Sequence, residues 1–286
     1  TSGKTEDPNP LFPIVVDGKW GFMNAQGKQA IAPKFAGAMR FADDLAPARD
    51  SNGKWGYVDK NGDFKIKPVY EAANVFSERL AAVRQDGKFG VIDTTGKFVI
   101  EPKYAFVSEF SEGRALVIVA EMIFGNPVRT AGFIDTKGKF LIPHTLADGG
   151  AFSEGLAAAR YMGEQFCYLD PSGKKAIEPK FQKAGQFSEG LAPVQPLNTN
   201  RWGFVNKQGD MVIDPKFVQA HSFVEGLAPV LDPSMKWGYI DKAGKMVIPP
   251  KFTEATAFLR GLAQVSVEGK LGYINTRGEY VWTPKI

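Results

Sequence analysis

The chain has 286 residues, of which 44% are hydrophobic and 23% charged, and its 35 basic and 31 acidic side chains give a net charge of +4. This composition is typical of a globular protein long enough for one or two conventional domains. The sequence has no dense basic cluster with interleaved aromatics, which argues against nucleic-acid binding. It has no apolar run approaching the roughly 18 residues of a membrane-spanning helix. Its single cysteine, Cys167, excludes an intrachain disulfide or a multi-cysteine metal site.

Residues 1–10, TSGKTEDPNP, are small, polar and proline-containing, which predicts a linker ahead of one repeat domain over 11–286. The chain begins at Thr1 without methionine, so we expect that a preceding segment was removed. A short polar tether before a folded body resembles the mature start of a bacterial lipoprotein. An arbitrary truncation or a tag remnant would leave the same kind of segment.

Residues 53–62, GKWGYVDKNG, recur along the chain. The steps between successive copies are 35, 34, 42, 35, 36, 35 and 34 residues. A period this regular indicates a tandem repeat of eight units. The position after the tryptophan is occupied by Gly21, Gly56, Gly90, Gly132, Cys167, Gly203, Gly238 and Gly272.

The second unit shows how each repeat is expected to fold. Residues 45–49 form a short apolar run, 51–54 contain the Asn-Gly pair of a tight turn, and 55–59 form a second β-type run, which together predict a hairpin. A third strand follows and ends in Ile-x-Pro-Lys-Phe, where proline is expected to stop the strand because it has no N–H for the ladder. Apolar residues then recur every third position, as in Phe35, Ala38 and Phe41, which predicts a compact irregular or one-turn segment with its aromatics inward.

Between the second and third strands all eight units carry Asp or Asn followed three residues later by Gly. The acid or amide can accept backbone N–H bonds in a type I turn and the glycine can take positive φ, so these acids are interpreted as turn formers rather than calcium ligands. The pairs are Asn24/Gly27, Asp59/Gly62, Asp93/Gly96, Asp135/Gly138, Asp170/Gly173, Asn206/Gly209, Asp241/Gly244 and Asn275/Gly278.

The Trp-Gly pair predicts how the units stack, because a large ring beside a residue without a side chain can lie over neighbouring backbone. Each unit is a three-stranded meander too small to bury its own apolar face. We therefore predict an all-β open, twisted, solenoid-like stack, with a closed eight-bladed propeller-like ring as the alternative. The predicted structural core is Trp20, Gly21, Trp55, Gly56, Phe89, Gly90, Trp202, Gly203, Trp237, Gly238 and Gly272.

The motif K-W-G-[FY]-[VI]-[DN]-x-x-G, followed by I-x-P-K-[FY]-x-x-A-x-x-F-S-E-G-L-A, resembles the bacterial WG-repeat family, also called KWG repeats. The match runs from about residue 12 to residue 286. The resemblance implies a repeat scaffold of varied copy number, often in exported or surface-associated proteins, and brings no catalytic residue with it. This sequence departs from the pattern at Ala131 in the Trp position, at Cys167 in the Gly position and at Pro143, which is shifted by one residue.

The forty-two-residue step marks an insertion over 117–130, VIVAEMIFGNPVRT. Insertions in repeat proteins usually collect on one face, so a lengthened hairpin that reaches a partner is one hypothesis, and a segment that folds back over a neighbouring unit is the other. The candidate binding residues are Met122, Ile123, Phe124, Asn126 and Arg129.

Other residues that can carry chemistry give weak signals. His144 and His221 lie far apart with no acidic or thiol partner at a recognisable spacing, and Cys167 is expected to be a buried, inert thiol. Recurrent lysines such as Lys34 and recurrent acids such as Glu78 predict two charged columns, interpreted as a solvated face in preference to a grip on a charged polymer. The sequence predicts no enzyme, no catalytic residues, no metal and no cofactor.

The function predicted is a non-catalytic scaffold for a macromolecular partner, most simply a protein, in the bacterial periplasm or at the cell surface. The protein is expected to be a monomer, and a lipid tether is a separate expectation. A glycan or cell-wall ligand, bound through exposed aromatics, is the alternative.

Overall fold

The computed structural model describes residues 7–284, and all of the regular secondary structure within them is β-strand. Of the linker predicted over residues 1–10, only 7–10 fall within the described part, and the first strand begins directly after them. We number the units 1 to 8 as residues 7–35, 36–70, 71–104, 105–146, 147–181, 182–217, 218–252 and 253–284. The all-β tandem-repeat prediction is confirmed.

Units 1 to 4 are built from the first fifteen strands. They are β1 (Leu11–Val16), β2 (Lys19–Asn24), β3 (Gln29–Phe35), β4 (Gly37–Ala38), β5 (Ala46–Arg49), β6 (Trp55–Val58), β7 (Phe64–Tyr70), β8 (Ala72–Ala73), β9 (Leu80–Gln85), β10 (Lys88–Asp93), β11 (Phe98–Tyr104), β12 (Phe106–Val107), β13 (Arg114–Ile123), β14 (Asn126–Asp135) and β15 (Phe140–Gly149).

Units 5 to 8 follow the same order. Their strands are β16 (Ala157–Tyr161), β17 (Phe166–Leu169), β18 (Lys175–Ala184), β19 (Ala192–Pro196), β20 (Trp202–Val205), β21 (Met211–Phe217), β22 (Gln219–Ala220), β23 (Ala228–Leu231), β24 (Trp237–Ile240), β25 (Met246–Phe252), β26 (Glu254–Ala255), β27 (Leu262–Val267), β28 (Lys270–Asn275) and β29 (Tyr280–Trp282).

Each unit after the first is an antiparallel sheet of four strands in chain order, in which a two-residue linker strand precedes the three strands of the meander. In units 5 and 6 the linker strand is the continuation of β15 and of β18, so the sheets of units 4, 5 and 6 join into one ten-stranded sheet, β12 to β21. Unit 1 has three strands only, and within residues 7–284 β1 pairs with β2 alone. The predicted irregular segment with inward aromatics is therefore partly a strand.

Proline does not end the third strand, contrary to the sequence-based expectation. In unit 2, Trp55 pairs with Tyr70 and Tyr57 pairs with Ile66, so the third strand carries two extra residues in a bulge around Pro68 before it resumes. The bulge brings backbone close to the second strand: a Cβ placed on Gly56 would lie 2.4 Å from the Ile66 carbonyl oxygen. The glycine of the Trp-Gly pair is required by this approach within its own unit.

The connections between strands lie on two opposite faces of the molecule, because successive connections in an antiparallel meander lie at opposite ends of the sheet. The face that carries the Ser-Glu-Gly turns and the Asp-x-x-Gly turns is here called the turn face. The face that carries the connections between first and second strands, together with the tryptophan of each Trp-Gly pair, is called the hairpin face.

The linker edge of each sheet lies toward the axis of the array. Arg40 of unit 2 donates a hydrogen bond to Glu109 of unit 4 at 3.4 Å, a contact that skips a whole unit. Small residues occupy the neighbouring linker and first strands, among them Gly37, Ala38 and Ala46. The units therefore turn about a narrow axis rather than extending in a line.

The first and last units contact each other. Phe12, Ile14 and Met23 of unit 1 share one buried cluster with Leu262 and Tyr273 of unit 8. Such contacts belong to a closed ring of eight units, the alternative arrangement stated above, rather than to an open stack.

The contact between units 8 and 1, here called the seam, lacks a linker strand within the described residues and is closed by side chains. In units 2 to 8 one carbonyl of the first strand accepts a linker N–H, as when Met39 donates to Pro47. In unit 1 the corresponding carbonyl, that of Pro13, accepts a hydrogen bond from the Tyr273 hydroxyl at 2.6 Å. Phe12 adds a ring 5.8 Å from Tyr273.

Phe12 occupies a position that is alanine in every other unit. The linker phenylalanines of other units, such as Phe258, pack on the aromatic residue that follows the Trp-Gly glycine, with ring centroids 4.9 Å apart for Phe258 and Tyr239. Phe12 takes that role for Tyr273. The equivalent alanines are Ala46, Ala81, Ala115, Ala157, Ala192, Ala228 and Ala263.

Candidate functional site

The recurrent acids of the turn face bind the next unit rather than solvent. The Glu112 carboxylate, for example, accepts the Gly155 N–H at 3.0 Å. Six units make this contact, which stabilises each pair of neighbours. The donor and acceptor pairs are Arg79 N–H to Asp43, Gly113 to Glu78, Gly155 to Glu112, Gly190 to Glu154, Gly226 to Glu189, and Gly261 to Glu225.

These acids also adopt positive φ, which is uncommon for residues other than glycine. Glu189 has φ of 54° and the glycine after it 84°, the two positive values of a type I′ turn. Although burial alone raises the pKa of Glu189, hydrogen bonds from the Gly226 N–H and from Lys242 hold it below its ordinary value. The column of acids therefore holds neighbouring units together, whereas the sequence-based interpretations are a solvated face or a grip on a charged polymer.

The recurrent lysines are also occupied. Lys180 lies over the Phe181 ring, 5.6 Å from its centroid, and donates to the Gly209 carbonyl of the next unit at 2.9 Å. Four other lysines lie over the aromatic residue that follows them in the same way. They are Lys34, Lys103, Lys216 and Lys251.

The Asp-x-x-Gly residues are turn formers, as predicted. Asp59 accepts the N–H groups of Asn61 and Asp63 at 2.9 and 3.1 Å. A Cβ on Gly62 would lie 2.7 Å from the Ile31 side chain of the preceding unit, so the glycine is needed for positive φ and for packing between units. Among residues 7–284 no cluster of three histidine, cysteine or acidic side chains could hold a metal ion.

The tryptophans of the repeat lie at the hairpin face and are not uniformly buried. Trp237 is 8% exposed and stacks on His221, with centroids 4.9 Å apart and planes 9° from parallel. Burial lowers the pKa of His221. Trp20, Trp55 and Trp202 are half-buried. Aromatic surface is thus accessible at this face.

His144 and Cys167 have local structural partners. The Thr130 hydroxyl and His144 Nδ1 are 3.0 Å apart. Cys167 is fully buried, and its thiol donates to the Ala159 carbonyl at 3.3 Å. Burial raises the pKa of the Cys167 thiol, which disfavours the thiolate.

The insertion over 117–130 forms a lengthened hairpin at the hairpin face. Strands β13 and β14 pair without interruption from Arg114 with Asp135 to Ile123 with Asn126. Phe124 at the turn is 99% exposed, Met122 is 68% exposed and Ile123 is 43% exposed. The hairpin projects into solvent and does not cover a neighbouring unit.

Exposed apolar side chains continue along the same face through the three following units. The hairpin turns of units 5, 6 and 7 carry Met162, Leu197 and Met235, exposed by 73%, 42% and 60%. We call the six residues Met122, Ile123, Phe124, Met162, Leu197 and Met235 the apolar crescent. The hairpins of units 1, 2, 3 and 8 instead turn through Asp17-Gly18, Asn52-Gly53, Asp86-Gly87 and Glu268-Gly269, and none of the exposed large hydrophobic residues in the described part of the chain lies in them.

A groove of about 540 Å³ opens between units 5 and 6, beside the hairpins that carry Met162 and Leu197. Its lining includes the rings of Phe166 and Trp202 and the charged groups of Asp148, Arg160 and Lys183. We call it the Arg160 groove. It combines cationic and aromatic groups at an accessible concave surface.

The predicted candidate residues are thus distributed unevenly. Met122, Ile123 and Phe124 lie in the crescent, while Asn126 and Arg129 lie on the partner strand of the same hairpin and are also exposed. The predicted core glycines are buried beneath the third-strand bulges. Sequence reasoning missed Met162, Leu197 and Met235, although apolar residues at turn positions that are Asp-Gly or Asn-Gly in other units were a visible signal.

A family model described as WG containing repeat matches the chain over residues 20–55, 55–89, 89–119, 132–163, 168–198, 202–231 and 237–270. These matches cover well over half of the chain. This chain belongs to the WG containing repeat family. The resemblance drawn from the sequence motifs is confirmed. Each of the seven matches begins in one structural unit and ends in the next, so together they reach all eight units. Among curated protein sequences, none matches this WG-repeat chain.

Solved structures resemble the WG-repeat domain over nearly its whole length. A computationally designed protein, Ika8, has a TM-score of 0.57 at 11% identity, with 95% of this chain and 89% of that chain covered. BamB from Moraxella catarrhalis has a TM-score of 0.53 at 13% identity, with 94% and 92% covered. PorZ of Porphyromonas gingivalis, described as an essential bacterial surface component of the type-IX secretion system, has a TM-score of 0.50 at 12% identity, with 88% and 38% covered. At these identities the likeness shows the fold alone.

Among the described residues no helix is long and apolar enough to cross a membrane.

Proposed function

We propose that this WG-repeat ring is a non-catalytic scaffold that binds a protein partner through the apolar crescent on its hairpin face. The observation that carries the proposal is the concentration of exposed apolar side chains in the hairpins of four consecutive units. Large apolar groups at solvent-exposed turns cost solubility, and contiguous exposed apolar surface marks interaction sites. The polar hairpins of the other four units show that the fold itself does not require them.

The chemistry of the crescent suits a protein surface. Methionine and phenylalanine adapt their shape to a partner and bury much area for each residue. Three of the six crescent residues are methionine or leucine at single turns, spaced one unit apart, so the contact would run along an arc rather than into one pocket.

The repeat supports a scaffold rather than an enzyme. Six of the recurrent acids accept a backbone N–H of the next unit, and five of the recurrent lysines lie over the aromatic residue that follows them. The two histidines and Cys167 have local partners. The proposal places the scaffold outside the cytoplasm, in the periplasm or at the cell surface. PorZ, which shares the fold, is described as a bacterial surface component, and this supports the placement. A lipid tether on a cysteine ahead of the polar segment of residues 1–10 is part of the same proposal, and residues 1–6 of that segment lie outside the described part of the chain.

A glycan ligand is a second candidate, because Trp202 and Phe166 offer half-buried rings within the Arg160 groove. Sugar binding would require these rings rather than the crescent. Replacing Trp202 with alanine would then abolish binding to cell-wall polysaccharide, whereas crescent variants would retain it.

Partner capture from cells that express the protein tests the crescent directly. The variant carries Met122→Ser, Ile123→Gly and Phe124→Ser, and a matched control carries Val69→Ser and Val212→Ser, which remove side chains 55% and 51% exposed on outer strands. We expect the crescent variant to lose a set of cross-linked proteins that both the wild type and the control retain. Unchanged capture by the crescent variant would contradict the proposal.

A further inference from the structure

Three units carry arginine at the same position near the end of the first strand, and their polar contacts within residues 7–284 lengthen in the order Arg49, Arg84 and Arg160. Arg49 donates to the Ala36 carbonyl at 3.0 Å. Arg84 has its Nε 3.4 Å from a Glu71 carboxylate oxygen. The Arg160 guanidinium makes no hydrogen bond to any residue of 7–284, and its closest acidic oxygen, on Asp148, is 4.0 Å away.

The surroundings of Arg160 leave positive charge at the groove. Asp148 uses one carboxylate oxygen to accept the Gly149 N–H at 2.8 Å. Lys183, on the opposite wall, forms no ion pair within the described residues. One carboxylate therefore faces two cations, and the groove carries an excess of one positive charge.

Arg160 is also held in place rather than free to swing. Its guanidinium lies over the Phe166 ring at 5.4 Å from the centroid, and its Nε is buried without a hydrogen-bond partner. A planar guanidinium fixed against a ring presents its terminal N–H groups in a set direction, which favours a carboxylate that can accept two of them. Trp202 closes the other side of the groove with an aromatic surface.

We propose that the Arg160 groove binds an acidic side chain of the protein partner, an aspartate or glutamate that lies next to the apolar residues seated on the crescent. This inference rests on the proposed function and specifies the partner: an acidic residue within an apolar segment. Arg160 is two residues before Met162, and Trp202 follows the loop that begins at Leu197, so one segment can reach both surfaces. Arg160 supplies the fork, and Lys183 adds a second charge.

The test uses the intact protein and a small probe, so that it does not depend on knowing the partner. Isotope-labelled protein is titrated with N-acetyl-aspartate α-N-methylamide, whose only carboxylate is the side chain, and the Arg160 Nε–Hε resonance and its neighbours are followed by NMR. N-acetyl-asparagine α-N-methylamide is the neutral, isosteric control. We expect a saturable shift with the acid alone, and an affinity reduced roughly tenfold by Arg160→Gln, as for the loss of one charge-assisted hydrogen bond.

Variants separate this site from general charge effects. Arg84→Gln removes the same charge from a unit whose arginine already has a carboxylate partner, and we expect it to leave the titration unchanged. Lys183→Gln should weaken binding less than Arg160→Gln and serves as the readout if Arg160→Gln disturbs the fold. Equal effects of the Arg84 and Arg160 variants, or no saturable shift in the wild type, would overturn the assignment.

The outcomes also distinguish the two proposals and the two ligand classes. Failure of the titration with crescent-dependent capture intact overturns the acidic site alone. Successful titration with crescent-independent capture overturns the proposed function alone. Tighter binding of glucuronate than of N-acetyl-aspartate α-N-methylamide, each of which carries one carboxylate, would assign the groove to acidic glycans and overturn the peptide ligand.

Discussion

Replacing Tyr273 with phenylalanine tests whether the ring is closed in solution. The Tyr273 hydroxyl donates to the Pro13 carbonyl at 2.6 Å across the seam, and the side chain is 3% exposed. Removing the hydroxyl leaves the carbonyl of Pro13 without this donor. The expected cost is about 1–3 kcal/mol of the free energy of unfolding, which is the usual penalty for a buried group left unsatisfied.

Tyr239→Phe is the matched control, since its hydroxyl donates to the Thr256 carbonyl at 2.8 Å within a covalently continuous pair of units. Denaturant titration should show a similar loss for both variants. Hydrogen exchange should separate them: Tyr273→Phe should raise exchange in β1 and β28 together, because no covalent linker joins the described parts of units 8 and 1. Tyr239→Phe should leave β1 unchanged.

The refuting result is specific. In an open stack the hydroxyl of Tyr273 would be solvated, and its removal would cost almost nothing. A loss near zero for Tyr273→Phe beside a full loss for Tyr239→Phe would show that the seam is open in solution.

Three further predictions follow from the contacts within and between units. Gly56→Ala should destabilise the protein by about 1–3 kcal/mol in thermal or denaturant unfolding, because its Cβ would lie 2.4 Å from a backbone oxygen. Gly53→Ala should cost only about 1–2 kcal/mol, because its Cβ would have nothing within 4 Å and only the φ of 80° is unfavourable. Equal and negligible losses would contradict the bulge argument. Cys167 should not react with a thiol reagent at neutral pH until the protein unfolds, since burial raises the pKa of its thiol, and rapid labelling of the native protein would refute this. Although burial alone raises it, the pKa of Asp7 is held below its ordinary value by hydrogen bonds from Lys60 and the Asn9 N–H and by the charges of Lys60 and Arg260. The contribution of Asp7 to the stability of the seam is therefore present above the unfolded pKa of about 3.9 and is lost as the pH falls through the lower folded pKa. Asp7→Asn should flatten the acid end of the curve of stability against pH, and an unchanged curve would contradict this prediction.

The sequence predicted local features well because their causes are local. The Asp-x-x-Gly turns depend on a side chain that accepts N–H groups two and four residues later, and the pattern alone indicates this. The lengthened hairpin was visible as an irregular step in the period. Both kinds of feature depend only on residues that are close together in the sequence.

Features that depend on neighbouring units were beyond the same reasoning. The Glu112 carboxylate looked like a surface charge, but its hydrogen-bond partner Gly155 lies in the next unit. Pro68 was interpreted as a strand end because its missing N–H is a local property, whereas the bulge that accommodates it depends on the pairing of Tyr57 with Ile66. Ring closure had one visible sign: Phe12 stands where seven other units have alanine.

The distribution of the candidate site over the ring also follows from backbone connectivity. Strands β15 and β18 run without a break from one unit into the next, so units 4, 5 and 6 share one ladder of ten strands. The two walls of the Arg160 groove are therefore joined by β18, which passes from unit 5 through Lys183 into unit 6. A groove spanned by a continuous strand loses little conformational freedom when a ligand enters, and such preorganisation favours binding. Within residues 7–284 no strand pairing crosses the seam, which lies between two units whose hairpins are polar. A force that a bound partner exerts on the crescent would therefore act on units joined by a continuous ladder of strands and not on the contact between units 8 and 1.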